Sequence, residues 1–180
     1  MQLPLGSNAV TIRASAAADL TTITAIYGDA VIHGTASFEL EPPNLDEMIA
    51  RYRKLTAEGY PYLVAEIQGQ VVGYAYASAY RTRPAYRATV EDSVYVREDC
   101  QGRGIGHVLL ERLVAACLAR GYRQMIAVIG DSANRASVRV HERLGFHHVG
   151  TLSAVGWKHG RWLDTVLMQR ALGDGATSNL

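Results

Sequence analysis

The stretch from Thr89 to Leu118 constrains this chain more than any other part of it. Thr89-Val90-Glu91-Asp92-Ser93-Val94-Tyr95-Val96 is β-rich and reads as a strand. Gln101-Gly102-Arg103-Gly104-Ile105-Gly106 follows, and then Leu109, Leu113, Val114, Cys117 and Leu118 recur at helical spacing up to a stop at Gly121. A strand that enters a helix through such a turn aims the helix's free N–H groups and positive dipole end at whatever sits there. Glycines let the backbone approach that ligand closely. A diphosphate is the natural guest, and Arg103 adds a positive side chain. The dinucleotide fingerprint Gly-x-Gly-x-x-Gly fails, because its last glycine would fall on His107 or Leu109. The P-loop fails for want of a Gly-Lys-Ser or Gly-Lys-Thr. An ordinary glycine-rich connection remains the alternative for the hexapeptide taken alone.

The remaining elements assemble around this unit. Val10 to Arg13 reads as a strand. Asp19 reads as an N-cap, with Leu20, Ile23, Ile26, Tyr27 and Ala30 following at helical spacing. Pro42-Pro43-Asn44 breaks the chain, and a second helix carries Met48, Ile49, Tyr52 and Leu55 on one stripe. Tyr62 to Ile67 and Val71 to Ala79 form a hairpin about Gln68-Gly69-Gln70. Beyond the central helix come a strand (Gln124 to Ile129), a helix (Ala136 to Leu144) and two short strands near Val149 to Trp157 and Asp164 to Arg170. Strand–helix–strand units require parallel pairing and the hairpin antiparallel pairing, so the class is a mixed α/β (α+β) sheet flanked by helices.

Bulk properties exclude several functions. The chain has 180 residues, enough for one domain, expected over residues 10–172 between flexible ends at 1–9 and 173–180. Net charge is +1 with no basic block, which argues against nucleic acid. No apolar run could cross a bilayer, and Met1 to Asn8 lacks a secretory signal pattern. Cys100 and Cys117 read as reduced thiols, pointing to the cytoplasm. The six histidines do not form a converging ligand set, so no metal is expected.

The spacing Gln101-x-x-Gly104-x-Gly106 resembles the pyrophosphate loop of the GNAT superfamily of N-acetyltransferases, and the resemblance spans roughly Thr11 to Leu172. The strand from Thr89 to Val96 is similar to its counterpart in the phosphinothricin and methionine sulfoximine N-acetyltransferases. So are Ala127-Val128-Ile129-Gly130, then Asn134, Ser137 and Val140-His141-Glu142-Arg143-Leu144-Gly145-Phe146. Trp157-Lys158-His159-Gly160-Arg161-Trp162-Leu163-Asp164 resembles the family's C-terminal signature. The resemblance implies a mostly antiparallel sheet with a V-shaped splay between its central parallel strands. It also implies acetyl-CoA as co-substrate. The backbone at Val94, Tyr95 and Val96 would pair with pantetheine, and Gln101, Gly102, Arg103, Gly104, Ile105, Gly106 and His107 would hold the pyrophosphate. Asn134 and Arg143 would lie near the cofactor.

Acetylating an amine requires removing a proton from the ammonium, a donor for the thioester oxygen and, in many cases, a proton for the departing thiolate. Glu91 is the expected base; residue type alone would give a solvated carboxylate at a strand end. Asp92 points to the opposite strand face and is the weaker choice. His141 stands where many members of the superfamily have the tyrosine assigned to the thiolate. The alternative for His141 is a helix histidine satisfied by a carbonyl. The resemblance gives the oxyanion donor to a strand amide such as that of Val94. Cys100 has no evident base partner, so direct transfer is preferred to an acetyl-cysteine route.

Arg81 and Arg83, in a loop with Tyr80 and Tyr86, suit an acceptor carboxylate. Phe38 suits an apolar wall. Lys158 resembles a lysine near the acceptor pocket, with a homodimer implied. Tyr80 replaces a tryptophan of the methionine sulfoximine enzymes, and Pro84 is this chain's own. The expected activity is N-acetylation of a small amino-acid-like amine. The alternatives are another small amine or antibiotic as acceptor, and a non-catalytic coenzyme A sensor.

Overall fold

Two-residue periodicity and turn chemistry build a seven-stranded sheet in the order β1-β2-β3-β4-β5-β7-β6. The structure, a computed structural model, describes residues 9–180; the expected flexible N-terminus lies outside the described residues except for Ala9. The strands are β1 (Thr11–Ala14), β2 (Tyr62–Ile67), β3 (Gln70–Ala79), β4 (Thr89–Val96), β5 (Gln124–Gly130), β6 (His147–Lys158) and β7 (Arg161–Ala171). The helices are α1 (Leu20–His33), α2 (Leu45–Ala57), α3 (Ile105–Ala119) and α4 (Arg135–Arg143). All neighbouring strands are antiparallel except β4 and β5, which run parallel. That parallel pair carries the crossover helix α3, as a strand–helix–strand unit requires.

Alternation along β4 divides the molecule in two. Val90, Val94 and Val96 join the apolar cluster of α3, with Ile105, Leu109, Leu110 and Leu113. Tyr95 faces the other way, into the cluster of α1 and α2 with Ile23, Val31 and Met48. Stacked tyrosines floor this second cluster: the contacting rings among Tyr62, Tyr74, Tyr76 and Tyr95 have centroids 5.0–6.2 Å apart. Burial raises the pKa of each, so all four remain neutral phenols.

Several local details depart from the sequence-based expectation. Asp19 does not cap α1 with its side chain. A short 3₁₀ turn over Ala17–Asp19 precedes the helix, and the Asp19 carboxylate takes the Ala16 N–H and two Arg13 nitrogens instead. Asn44 does cap α2, accepting from Glu47 N–H at 2.9 Å. Leu118 is exposed, and Leu110 takes its expected place in the core. The two closing strands are not short: β6 has 12 residues and β7 has 11. Beyond Leu172 the chain turns back on Arg123, which reaches Ser178 Oγ at 2.7 Å and Asn179 O at 3.1 Å.

Leu113 of α3 is fully buried in the larger cluster. Leu113→Ala is expected to cost about 2–5 kcal/mol, read as a lower urea midpoint at unchanged slope.

Candidate active site

Pairing between β4 and β5 covers only Thr89↔Gln124 to Asp92↔Ala127, after which the two strands diverge. β5 continues with β7 as far as Gly130↔Thr165, and β4 continues with β3 as far as Val96↔Gly73. Thr89 C=O accepts from Tyr80 N–H and Arg97 N–H donates to Val72 O, so both point towards β3. Main-chain direction alternates along a strand, so residues 90, 92, 94 and 96 aim their N–H and C=O groups towards β5. Val94 and Val96 therefore present main-chain groups to the gap, whereas those of Tyr95 are directed at β3. A cavity of about 330 Å³ fills this gap.

At one end of the free edge lies the glycine turn. Gly102 and Gly104 adopt φ of +72° and +81°, a region that side-chain-bearing residues rarely occupy. Gln101 Nε2 donates to Val96 O at 3.1 Å and closes the turn onto β4. Ile105 is buried, so it offers only its backbone. Arg103 is exposed. Gly106 lies in the first turn of α3 beside Val94 and Val96, and His107 follows it with a buried Nδ1 that has no partner among the described residues. Positive φ glycines, a helix start and an unpartnered buried nitrogen suit an anionic group carrying polar atoms.

At the other end, Glu91 and Asp92 line the cavity from opposite faces of the sheet. Glu91 is half-buried; burial, and next the charge of Asp92, raise its pKa, while Arg81 opposes the shift. Asp92 accepts from His141 Nε2 at 3.0 Å, and His141 Nδ1 donates to Ser137 O at 2.8 Å. Burial is the largest influence on His141 and disfavours its charge. The hydrogen bond and charge of Asp92, with the Ser137 carbonyl, together outweigh it, and the pKa is raised. Asn134 lines the cavity and caps α4, its side chain accepting from Ser137 N–H at 3.2 Å. Arg143 is exposed in the last turn of α4 and does not line the cavity.

The segment between α1 and α2 closes one side of the cavity with Ala36, Ser37 and Phe38. Phe38 stands against the two strands beyond the gap: a Cβ on Gly156 would lie 2.3 Å from its ring, and one on Gly130 would lie 3.0 Å away. Lys158, only 4% exposed, donates from Nζ to Ser37 O at 2.7 Å. Burial lowers its pKa and Glu39 opposes this. Tyr27 donates to Glu39 Oε1 at 3.0 Å and lies 3.0 Å from Ser37 Oγ, while Arg51 holds Glu39 at 2.7 Å. Lys158 thus braces the wall from within its own chain. Arg81 stacks over Tyr80 at 4.3 Å and lies close enough to bias Glu91. Arg83 sits in the exposed loop beyond, and neither arginine lines the cavity. Among the described residues no group of His, Cys, Asp and Glu could hold a metal.

Sequence reasoning missed the Asp92–His141 contact and the cavity-lining Tyr76, Ser93 and Thr165. A signal existed for Asp92: alternation with Val90 and Val94 put a carboxylate on an apolar face, where it needs a partner.

This free strand edge, ending in a glycine turn at a helix start, is accompanied by a direct family match. Residues 28–146 match the Acetyltransferase (GNAT) family, and the chain belongs to it. A phosphinothricin N-acetyltransferase of Alcaligenes faecalis is 52% identical over 170 residues, covering 94% of this chain and 86% of that protein. An L-methionine sulfoximine/L-methionine sulfone acetyltransferase of Pseudomonas aeruginosa is 44% identical over 159 residues, covering 88% and 92%. The crystal structure of a GNAT superfamily phosphinothricin acetyltransferase from Sinorhizobium meliloti in complex with AcCoA superposes with a TM-score of 0.92. It is 50% identical and covers 94% of this chain and 92% of that one.

Because Phe38 fills the space above Gly156, Gly156→Ala is expected to displace the ring and cost about 1–3 kcal/mol in urea unfolding. Adding Phe38→Ala should recover most of the strain term; strictly additive losses in a double-mutant cycle would show that the ring and the glycine do not oppose each other.

Proposed function

We propose that this chain is a single-domain acetyltransferase, spanning residues 10–172, that moves the acetyl group of acetyl-CoA to the amine of a small amino-acid-like acceptor. Phosphinothricin and methionine sulfoximine or sulfone are the acceptors to test first. The observation that carries the reading is the edge of β4 left unpaired from Ser93 to Val96, running between the glycine turn and Glu91. An extended amide-bearing arm can add to such an edge as a further strand. Val94 and Val96 offer its main-chain partners, and the turn from Gln101 to His107, with Asn134 across the gap, takes the diphosphate end. When bound, the thioester supplies the activated acetyl group.

Glu91 then receives a proton from the acceptor ammonium, directly or through water, and frees the lone pair for attack. Burial suits it to that task, since a base with a raised pKa holds the proton better near neutrality. Val94 N–H faces the gap where negative charge develops on the thioester oxygen. In this reading Arg81, which acts on Glu91, takes the acceptor carboxylate and Phe38 walls its side chain, Lys158 ties that wall to β6, and Arg83 lies in the exposed loop beyond. Acetylating phosphinothricin would remove its free amine and so confer resistance to that herbicide.

A homodimer and a cytoplasmic setting belong to the same reading. Edge strand β6 and its neighbour expose Val149, Leu152, Val155, Trp157 and Trp162, an apolar patch suited to a second copy. Both cysteines are free and buried, and no helix among the described residues is long and apolar enough to cross a membrane.

Thiol release from acetyl-CoA with a panel of amino acids, phosphinothricin, methionine sulfoximine and methionine sulfone tests the reading. Turnover with a small amino-acid-like amine is the expected result; coenzyme A binding without turnover on any amine would point to a sensor. Glu91→Gln should lower turnover about tenfold or more. With the wild type, kcat/KM should rise with pH through an acid limb above the ordinary glutamate value of about 4.3, because Glu91 must lose its proton to work. Light scattering should give a dimer mass, and Trp162→Glu should shift it towards the monomer.

A further inference from the structure

The buried contact between Asp92 and His141 stands at the vertex of the splay, since Asp92↔Ala127 is the last pair that joins β4 to β5. Its hydrogen count follows from the chemistry of its neighbours. Nδ1 faces the Ser137 carbonyl, which can only accept, so Nδ1 carries a hydrogen. In the resting protein one further hydrogen must lie between Nε2 and Asp92 Oδ2 at 3.0 Å. The pair is therefore imidazolium against carboxylate, or neutral imidazole against carboxylic acid. In both states the ring has no free lone pair, so His141 cannot take the proton of the attacking amine. It can give one, and only from Nε2. Phe146 fixes the ring edge-on, with centroids 4.9 Å apart.

We propose that Asp92 is a positioning residue for the transfer reaction: it holds His141 as an imidazolium in one orientation at the vertex, so that His141 supplies the proton of the departing thiol. The inference rests on the acetyltransferase reading. An arm laid along β4 from the glycine turn brings its thioester end to this vertex. The amine's lone pair forms the new C–N bond, the C–S bond breaks and its electron pair stays on sulfur. The Nε2 proton then passes to that sulfur. The imidazole is left neutral for a moment with Nδ1–H still on Ser137 O, and a proton from solvent returns to the contact between Nε2 and Asp92 Oδ2 and restores the resting pair. Glu91 holds the amine's proton on the other face of the sheet. The other groups that feel the Asp92 charge are Glu91 on β4 and Cys117 on α3. Burial pushes the Cys117 thiol up to about 12, so it stays neutral throughout the working range.

Asp92→Asn tests the assignment together with the spectrum of the intact wild-type protein. A histidine whose pKa is raised stays charged above its ordinary range and loses its proton as pH climbs through the raised value. The alkaline limb of kcat should therefore move down by about one to three pH units in Asp92→Asn. At pH 8 kcat should fall about tenfold or more, while KM for acetyl-CoA changes less than about twofold. Histidine ¹⁵N spectra of the wild type at pH 7.5, assigned by His141→Asn, should show both ring nitrogens of His141 protonated. Glu91→Gln should leave that pattern in place. A wild-type His141 with a single N–H at pH 7.5 would overturn the proposal even if Asp92→Asn does not fold. So would an alkaline limb left unmoved in a folded Asp92→Asn protein. Absence of thiol release from the wild type with every amine overturns the functional reading and this proposal together, whereas wild-type turnover with an unmoved limb removes Asp92 alone.

Discussion

Main-chain hydrogen bonding between β4 and β5 stops at Asp92 and Ala127, and the rest of the cavity is arranged around that stop. Strands in the middle of a sheet ordinarily satisfy each other, because an unpaired amide out of water is costly. Here each strand keeps its outer partner, β3 on one side and β7 on the other, so the sheet stays whole while its centre opens. The divergence produces a strand edge inside the protein rather than at its rim. Such an edge accepts a ligand backbone without exposing the fold to the edge-to-edge association that threatens an outer strand.

Most of this framework could be read from residues alone. Thr89–Val96 forms the strand that alternation predicts, and glycines at 102 and 104 take the positive φ that their position in the turn requires. Local pattern sufficed there because a strand, a turn and an amphipathic helix are each specified within a few neighbouring residues. Positions decided by distant partners were harder. Asp19 looked like a cap, but Arg13 and the Ala16 amide claim its carboxylate. Leu118 looked like core, yet helix rotation is set by the sheet beneath it and leaves this residue outside. The length of β6 was hidden by its irregularity: pairing with β7 shifts between His148 and Gly150 and again between Leu152 and Gly156, which breaks the two-residue rhythm.

The site shows the same division. The likeness to known acetyltransferases led to Glu91 and His141, both of which line the cavity, and to Phe38, whose ring meets Gly156 and Gly130. It could not reveal that Asp92 reaches His141, a contact between residues 49 positions apart. Nor could it show that Lys158 spends its ammonium on the Ser37 carbonyl. A buried lysine next to a neutral carbonyl has given up much of its hydration, and burial accordingly lowers its pKa. Its place in the fold is mechanical: it ties the far end of β6 to the irregular segment that carries Phe38.

That tie leaves the two walls of the cavity on different elements of the fold. The segment after α1 and the end of β6 shape one wall, while β4, the glycine turn and α4 shape the other. Replacing Phe38 would change the shape of that wall without touching the strand edge or the turn. That wall can therefore be reshaped one substitution at a time while the strand edge and the turn keep their form.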